Sequence, residues 1–463
     1  MTNPTSSASH PFPDSVTISQ LANGMTIATD TMPGSESVTL GIWAAVGARD
    51  EGQAENGVAH LFEHMVFKGT PRRSARAIAE AIEDVGGHLN AWTSREQTAF
   101  HAKVLKADAA LAVDVISDML QHALMDEEEL TREKSVVIQE IGQSQDTPDD
   151  CVFDHFQQTA FPDHYLGRPV LGTVDSVSSL QRQDLQGWFG HHYHPSRLMA
   201  VAAGAISHEA FRSEIEKHYQ NNDKIGVAAQ NGATPGTDRA MAPQFPPRKS
   251  AKYHPGLILD RRDSLEQVHV IVGFPGYDVT HPDYYAFNLY STVLGGGMSS
   301  RLFQTIREEM GLAYSIYSFG ASYQDIGLFG VYAGTSMETF EQYITALRDG
   351  IHSMTDHRAL NANGGAAELE RARAQMRAGL LMGRESTGTR AEGLAHQIMC
   401  LRRPLAVSEM VERINAVTAA DIQRVAVKMA SATPCIALVG PEVPANAVKI
   451  LEDMVGSEVS IIQ

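Results

Sequence analysis

The sequence is poor in cysteine, in long apolar runs and in basic residues, and each shortage excludes a class of protein. Its 463 residues include three cysteines, Cys151, Cys400 and Cys435, which are far apart and odd in number, so no disulfide framework is expected. No apolar run approaches the roughly 18 residues that a transmembrane helix needs, so no membrane partner is expected. The 37 basic residues are outnumbered by 55 acidic ones, and the net charge of −18 argues against nucleic acid as a partner and mildly for cationic ligands.

The amino-terminal segment lacks the features of a targeting signal. Residues 1–10 carry neither the basic start and apolar run of a secretory signal nor the arginines of a transit peptide. Together with the reduced thiols, this favours a cytoplasmic or a matrix compartment.

Among the residues that are present, segment 59–70 (AHLFEHMVFKGT) carries the clearest chemistry. His60 and His64 are four residues apart, so on a helix their rings lie on one face and can bind one metal ion. Glu63 lies between them, which gives H-x-x-E-H, the inverted form of the H-E-x-x-H zinc protease motif. A carboxylate in that position is the natural general base for water activated by the metal.

The alternative is a chance pattern of surface histidines on an exposed helix. The neighbouring side chains are large and apolar: Leu61, Phe62, Met65, Val66 and Phe67. A helix of this composition is mostly buried, and its polar side chains then need partners. The pattern therefore favours a metal site.

Catalytic zinc usually takes three protein ligands and leaves one position for water, so a third ligand is expected elsewhere in the chain. The best candidate is Glu140, which lies in a helical pattern over residues 127–142. Glu133 falls two turns earlier on the same face of that helix. One of these acids would bind the metal and the other would support it.

These residues resemble the pitrilysin-type zinc peptidases of family M16. In that family a glutamate ligand follows H-x-x-E-H by some 75 residues, with a second functional glutamate seven residues before it, and here His64 and Glu140 are 76 residues apart. The resemblance implies that His60, His64 and Glu140 bind Zn²⁺. It implies further that Glu63 is the general base and that Glu133 is a supporting acid near the metal.

The length of the chain predicts two domains of roughly 200 residues each. A segment rich in proline, glycine and polar residues at 231–247 marks a linker, so we expect domains at 1–230 and 248–463. We expect an α+β fold of two homologous α/β domains, each a mostly antiparallel sheet packed with helices.

The second half repeats the order of elements in the first half. The strand pattern at 268–274 corresponds to that at 38–44, which indicates a duplication read from order rather than identity. The second copy contains no H-x-x-E-H, since the corresponding region at 285–297 reads YAFNLYSTVLGGG. We therefore expect metal ligands in the first half alone.

Residues 89–101 alternate in the manner of a β-strand, and the resemblance implies that they form an edge strand near the zinc. Asn90 and Ala91 lie on this segment and are candidate substrate-binding residues. An open edge can accept an extended peptide as an added strand and bind its main chain. The alternative is an edge strand that other elements protect.

The glycine-rich segment at 294–315 is the second strong match to the family. Its triple glycine lacks the Lys-Ser/Thr ending of a phosphate-binding loop, so nucleotide binding is disfavoured. The resemblance places Arg307 and Tyr314 in the catalytic chamber, in contact with the substrate backbone or the developing oxyanion. Without it, they would be read as a surface arginine and a strand tyrosine.

The resemblance implies a zinc-dependent endopeptidase that cleaves peptides or unfolded, presequence-like segments inside a closed chamber. The two-domain length is similar to that of the bacterial short forms, which would be cytoplasmic, and of the catalytic subunit of the mitochondrial processing peptidase of the matrix, the less favoured location. Such chains pair, so we expect a homodimer or a heterodimer with a related chain. The alternative is a non-catalytic subunit of the processing peptidase or complex III core type, but such subunits normally lack intact ligands.

Overall fold

The computed structural model describes residues 13, 15–219, 243, 245–246, 248–356, 363–456 and 460–462. These residues form two six-stranded sheets, one from each half of the chain, packed with helices. The α+β class expected from the sequence is confirmed, with mixed sheets in which most neighbouring strands are antiparallel. The linker predicted at 231–247 lies largely outside the described residues, so the domain boundaries stay a prediction.

The first sheet has the strand order β1-β2-β6-β3-β5-β4. Its strands are β1 (Val16–Gln20), β2 (Thr26–Thr31), β3 (Ser37–Ala44), β4 (His88–Thr93), β5 (Thr98–Leu105) and β6 (Leu198–Gly204). The helices of this half are α1 (Val58–Met65), α2 (Ala75–Glu83), α3 (Ala109–His122), α4 (Glu127–Asp146), α5 (Pro148–Ala160), α6 (Val174–Ser179), α7 (Arg182–His192) and α8 (His208–Tyr219).

The second sheet has the strand order β12-β7-β11-β8-β10-β9. Its strands are β7 (Gly256–Arg261), β8 (Val268–Pro275), β9 (Ala313–Ser322), β10 (Gly327–Thr335), β11 (Cys435–Gly440) and β12 (Ser460–Ile462). The helices of this half are α9 (Tyr284–Gly295), α10 (Phe340–Ser353), α11 (Asn363–Gly383), α12 (Thr387–Leu401), α13 (Val407–Ala416), α14 (Ala419–Ser431) and α15 (Ala445–Val455), and Phe303–Glu309 form a π-helical segment.

The two sheets share the arrangement of five of their six strands, as the repeated order of elements predicts. Strands β3 and β8 occupy the same interior place, and β4 and β9 form the corresponding edges. The outermost strand at the other side differs, because β1 runs antiparallel to β2 whereas β12 runs parallel to β7. The duplicated core is thus completed by a different strand in each half.

Each half also lends one helix to the other. Helix α5 packs on the second sheet, where Val152 and Phe156 are buried against Ile271. Helix α12 packs on the first sheet, where Leu394 and Ile398 are buried with other apolar side chains of the sheet. Since burial of one such side chain stabilises a fold by about 1.5–3 kcal/mol, these exchanged helices hold the halves together.

The longest helices are amphipathic or polar rather than uniformly apolar. None of the helices in the described part of the chain is long and apolar enough to cross a membrane. Helix α4, with 20 residues, has a polar average composition and buries a single stripe that includes Leu130, Val137 and Ile141. This stripe packs α4 against α1, which brings the two sequence segments with candidate ligands together.

Candidate metal centre

Helix α1 is held in place at its start and by the packing of its apolar side chains. It begins after Gly57, whose φ of +92° and whose close approach to the carbonyl oxygen of Leu171 require the absence of a Cβ atom. The buried carboxyl group of Glu51 accepts the backbone N–H groups of Gly57 and Ala59, each at 2.9 Å, and so satisfies donors that a helix start leaves unpaired. Further along the helix, the ring of Phe62 lies in an aromatic cluster.

The three candidate ligands meet between α1 and α4. The Oε2 atom of Glu140 lies 3.8 Å from Nε2 of His60 and 3.7 Å from Nε2 of His64. Zinc bonds of about 2.0–2.2 Å to nitrogen and oxygen, in a tetrahedral arrangement, separate two ligand atoms by roughly 3.3 Å. The three donor atoms, all within 4.8 Å of one another, therefore lie close to the spacing that Zn²⁺ requires.

The protonation of the site also suits a metal. Burial, together with the neighbouring charge of His64, lowers the pKa of His60 to about 4. An imidazole that is neutral at ordinary pH keeps a lone pair free for a cation, as a histidine ligand must. The residues present thus fit zinc in both spacing and charge.

Glu133 orients one of the histidines. Its Oε2 atom lies 3.1 Å from Nδ1 of His64, and its Oε1 atom accepts a charged hydrogen bond from Nζ of Lys68 at 2.6 Å. A carboxylate on Nδ1 fixes the ring and directs Nε2 toward a metal. By contrast, Nδ1 of His60 is buried without a hydrogen-bond partner in the described residues, so packing alone orients that ring.

Glu63 lies beside the ligands without joining them. Burial is the main cause that raises the pKa of its carboxyl group, and a hydrogen bond from Thr93 opposes this rise. The hydroxyl of Thr93 donates to Oε2 of Glu63 at 2.5 Å. A carboxylate whose pKa is raised by burial is better suited to accept a proton than an exposed one.

Strand β4 forms the edge of the first sheet, so the edge strand that the resemblance implies is present, but it ends at Thr93. The rest of the segment predicted at 89–101 forms a turn and the start of the interior strand β5. Strand β4 contacts α1, and Thr93 at its end links it to Glu63. Asn90 is exposed on this strand, and its Oδ1 atom accepts the backbone N–H of Ala91 at 2.9 Å. A peptide that pairs with this edge through Ala91 would therefore first have to displace the Asn90 side chain.

Arg307 and Tyr314 form a separate pair in the second half. The guanidinium group of Arg307 lies over the rings of Phe303 and Tyr314, at 4.5 and 5.8 Å from their centroids. The Tyr314 side chain is 76% exposed. In the described part of the chain, no hydrogen bond, ion pair or ring contact joins this pair to the metal centre.

Sequence reasoning missed two contacts of the site. Lys68, the partner of Glu133, follows His64 by four residues but lies beyond the end of α1 at Met65, so helical spacing could not have indicated it. Thr93 lies on a different element from Glu63 and 30 positions away, so no local pattern reveals the hydrogen bond between them.

Known protein families match both halves of the chain. Residues 26–174 match the family described as insulinase (peptidase family M16), and residues 179–376 match the peptidase M16 inactive domain. An uncharacterized zinc protease of Streptomyces coelicolor is 38% identical over 91% of this chain and 88% of its own length. A probable mitochondrial-processing peptidase subunit beta of Arabidopsis thaliana is 34% identical over 89% of this chain and 75% of its own length.

Solved structures share the fold at low identity. A protease from Helicobacter pylori superimposes with a TM-score of 0.80 at 19% identity and covers 92% of this chain and 99% of its own. A chain of complex III2 from Candida albicans superimposes with a TM-score of 0.76 at 20% identity and covers 92% of this chain and 95% of its own. At this level of identity the likeness concerns the fold alone.

Proposed function

Because this chain belongs to peptidase family M16, we propose that it is a zinc-dependent endopeptidase that hydrolyses peptides or unfolded polypeptide segments. The observation that supports this proposal best is the convergence of His60, His64 and Glu140, with the carboxyl group of Glu63 beside them. A site of three ligands and one nearby base is the arrangement that metal-assisted hydrolysis of an amide needs.

Each residue then has one task. Bound zinc would be held by the three ligands and would supply Lewis-acid activation of water and of the peptide carbonyl. Glu63 accepts the proton of the attacking water and later delivers it to the leaving amine, so no covalent intermediate with the protein is needed. The Thr93 hydroxyl holds the Glu63 carboxylate in one orientation, and Glu133 holds the ring of His64.

The substrate class follows from the edge strand beside the base. An edge that binds a peptide as an added strand requires an extended main chain and takes little account of side chains. Rotation of the Asn90 amide would free the N–H of Ala91 for such a pairing. We therefore infer that the substrate is a peptide or an unfolded segment rather than a folded surface.

A role as a non-catalytic subunit is the weaker candidate. Such a role does not require a partly buried base, a ligand-orienting acid and three converging ligand atoms, yet all of these are present in the first half. Each buried polar group has a cost unless it is satisfied, so a purely structural chain has no reason to keep them.

The proposal is tested by zinc analysis joined to a cleavage assay on an unfolded protein. We expect the purified chain to contain zinc, to cleave the unfolded protein, to lose cleavage when a chelator removes the metal, and to regain it when zinc is added back. The same substrate in its folded form serves as the control and should resist cleavage. Zinc-loaded protein that cleaves neither form would contradict the proposal.

We further propose that the active site is shared between two chains. Tyr314 is exposed and Arg307 is half-buried, and neither has a described contact with the metal centre, although the family resemblance implies a place for both in the catalytic chamber. A second chain would bring its own pair to the first chain's metal, and a cation with a phenol donor suits the charge that develops on a scissile carbonyl. Admission of a peptide would then need an opening motion between the chains.

Mixing two inactive variants tests the shared site. A mixed dimer of Glu63→Gln and Tyr314→Phe chains holds one site with both defects and one with neither, so activity of up to about half the parent level per mixed dimer is expected. If the subunits exchange and activity stays at the sum of the two separate variants, the site lies within one chain.

A further inference from the structure

A second cluster of ligand-type side chains lies at the junction of the two halves. Cys151 and His155 are four residues apart on α5, and Asp260 comes from β7 of the second sheet. The Sγ atom of Cys151 is 3.2 Å from Nε2 of His155, which is 2.9 Å from Oδ2 of Asp260, and Sγ and Oδ2 are 3.8 Å apart. Within the described ranges, this group and the metal centre are the two sets of such donors that lie within 4.8 Å of one another.

We propose that Cys151, His155 and Asp260 form a second metal site, which binds a divalent cation of the zinc type. Thiolate, imidazole and carboxylate are the three ligand types that zinc takes in proteins, and tetrahedral bonds to sulfur, nitrogen and oxygen separate the donors by roughly 3.3–3.6 Å. The observed separations lie around those values. Cys151 and Asp260 are buried and His155 is partly exposed, which leaves a path for the ion and for one water ligand.

Arg262 marks the place of the cation. Its Nη2 atom lies 2.6 Å from Oδ2 of Asp260 and 3.0 Å from Sγ of Cys151, so a positive group already bridges two of the three donors. The Arg262 side chain is 25% exposed, and it also donates to the carbonyl oxygen of Gln145, so an ion that takes its place must displace it from these contacts toward solvent. Binding therefore exchanges one cation for another and displaces the thiol proton to solvent.

The geometry excludes a nucleophilic triad made of the same residues. In such a triad the nucleophile and the acid contact opposite nitrogens of the histidine ring. Here both Cys151 and Asp260 lie against Nε2 of His155, so the ring cannot pass a proton between them. A cation requires several donors that converge on one point, whereas a proton relay does not.

An ion in this site would join the two halves of the chain. It would link α5 of the first half to β7 of the second, in addition to their apolar contact. Because α5 follows directly on α4, which carries Glu133 and Glu140, the ion would also restrain the helix that completes the metal centre. We assign to the second site the role of holding the two halves together. Its existence does not depend on the proposed peptidase activity.

Cobalt distinguishes the two sites by their ligands. The chain, stripped with a chelator, is titrated with Co²⁺ and followed by absorption, because a thiolate bound to Co²⁺ gives a charge-transfer band in the near ultraviolet. The metal centre has nitrogen and oxygen donors alone and gives no such band. We expect two equivalents of bound cobalt, with the sulfur band arising from the second site.

Three variants make the assignment specific. Cys151→Ser should lose the sulfur band and one equivalent of cobalt, and His155→Gln should weaken the band while the thiol remains. Cys400→Ser is the matched control, because Cys400 lies 3.7 Å from His396 without a third donor in the described residues, and it should keep the band. Circular dichroism of each variant verifies that it is folded.

Arg262→Ala gives the sharpest result, because it removes the competing cation. The variant should bind cobalt at the second site about 10-fold more tightly, the order of one charge-assisted hydrogen bond, although it loses contacts in the metal-free state. A role in packing alone would predict no gain in affinity. Absence of the sulfur band from the parent protein, at cobalt concentrations that fill the metal centre, would overturn the proposal.

Discussion

The two halves of the molecule have the same sheet order, but the candidate metal centre lies in the first half, and the described residues of the second half contain no such set of ligands of their own. In the first half, α1 presents His60, Glu63 and His64. In the second half, α9 carries Phe287 and Tyr290, which are three residues apart, as His60 and Glu63 are. Both side chains are fully buried. The helix that is polar on one face in the first half is part of an apolar core in the second.

A helix that packs against α1 and one that packs against α9 differ in the same way, because the first brings polar side chains to the contact and the second brings apolar ones. Helix α4 carries Glu133 and Glu140 toward α1, whereas α11 contacts α9 and places Leu369 and Ala372 in the core of its half. The sheet topology forms equally well with either set of side chains. The same sheet order therefore forms with and without the candidate ligands, so the architecture does not require the metal centre.

The largest effect on turnover is expected from removal of the Glu63 carboxylate. Removal of the Tyr290 hydroxyl in the other half is the comparison. Glu63→Gln keeps the shape of the side chain but cannot accept a proton, so kcat should fall by about 10²–10⁴-fold while the zinc content stays at the parent level. Tyr290→Phe is the control, because its hydroxyl is buried without a hydrogen-bond partner in the described residues, and cleavage should be unchanged. Turnover near the parent level in Glu63→Gln would end the assignment of the base.

The two acids of α4 should behave differently. Glu140→Gln weakens a ligand and should lose most of the metal from the centre, whereas Glu133→Gln should keep most of it and turn over about 10–100-fold more slowly. Glu128→Gln, an exposed acid of the same helix, is the control. Zinc content and kcat are measured for all three. Equal zinc in Glu140→Gln and the parent protein would indicate another ligand.

Much of the fold could be predicted because its signals are local. The helical spacing of His60 and His64 and the alternation of the strands each follow from neighbouring residues, and the repeated order of elements follows from a comparison of such local patterns in the two halves. The family and the zinc cofactor expected from the sequence are confirmed by the relatives, which include named zinc proteases. The assignment of roles to individual site residues stays a prediction until variants are measured.

The contacts between distant segments could not be predicted. Nothing in the sequence indicates that α5 and α12 pack on the sheet of the other half, because an apolar helical face does not specify which sheet it covers. The cluster of Cys151, His155 and Asp260 was missed for the same reason, since Asp260 joins it only through that exchange. A single sequence shows the periodicity of each helix or strand, but it does not show which element packs against it.

A smaller effect is expected from the hydroxyl that orients the base. Thr93 donates to Glu63 in the first half, and Ser318 on the corresponding edge strand β9 is hydrogen-bonded to Ser291 of α9. Thr93→Val should lower kcat by about 10-fold, the order of one hydrogen bond to a charged group, with little change in KM. Thr93→Ser restores the hydroxyl and should recover most of this loss.

The corresponding change in the second half should have no kinetic effect. Ser318→Ala removes a structural hydrogen bond and should lower stability by about 1 kcal/mol, with kcat unchanged. Urea unfolding and steady-state kinetics on both variants separate the two outcomes. A loss of kcat in Ser318→Ala equal to that in Thr93→Val would mean that the hydroxyls act on the packing of the fold and not on the base.

The smallest effect concerns the point where the two halves meet at their hairpin turns. The turn between β4 and β5 contributes Glu96 and the turn between β9 and β10 contributes Asp325, and the buried Arg49 bridges them at 2.6 and 2.9 Å. Burial alone would raise the pKa of Asp325, but the hydrogen bonds and the charge of Arg49 outweigh it and hold the pKa below the ordinary value. Asp325 therefore stabilises the fold in its charged form.

The sign of the pH dependence follows from this lowered pKa. The stabilising contribution of Asp325 is complete above the pKa of an unfolded aspartate, about 3.9, and is lost as the pH falls through the lower pKa of the folded state. Asp325→Asn should lower the free energy of unfolding by about 1–3 kcal/mol at pH 7. Below about pH 4 the free energies of unfolding of the variant and the parent should converge. Asp263→Asn, in an ion pair at the surface, should differ little from the parent at either pH. Urea unfolding from pH 3 to pH 7 measures all three proteins. If the difference between Asp325→Asn and the parent is constant across that range, the ion pair between the two turns does not stabilise the union of the halves.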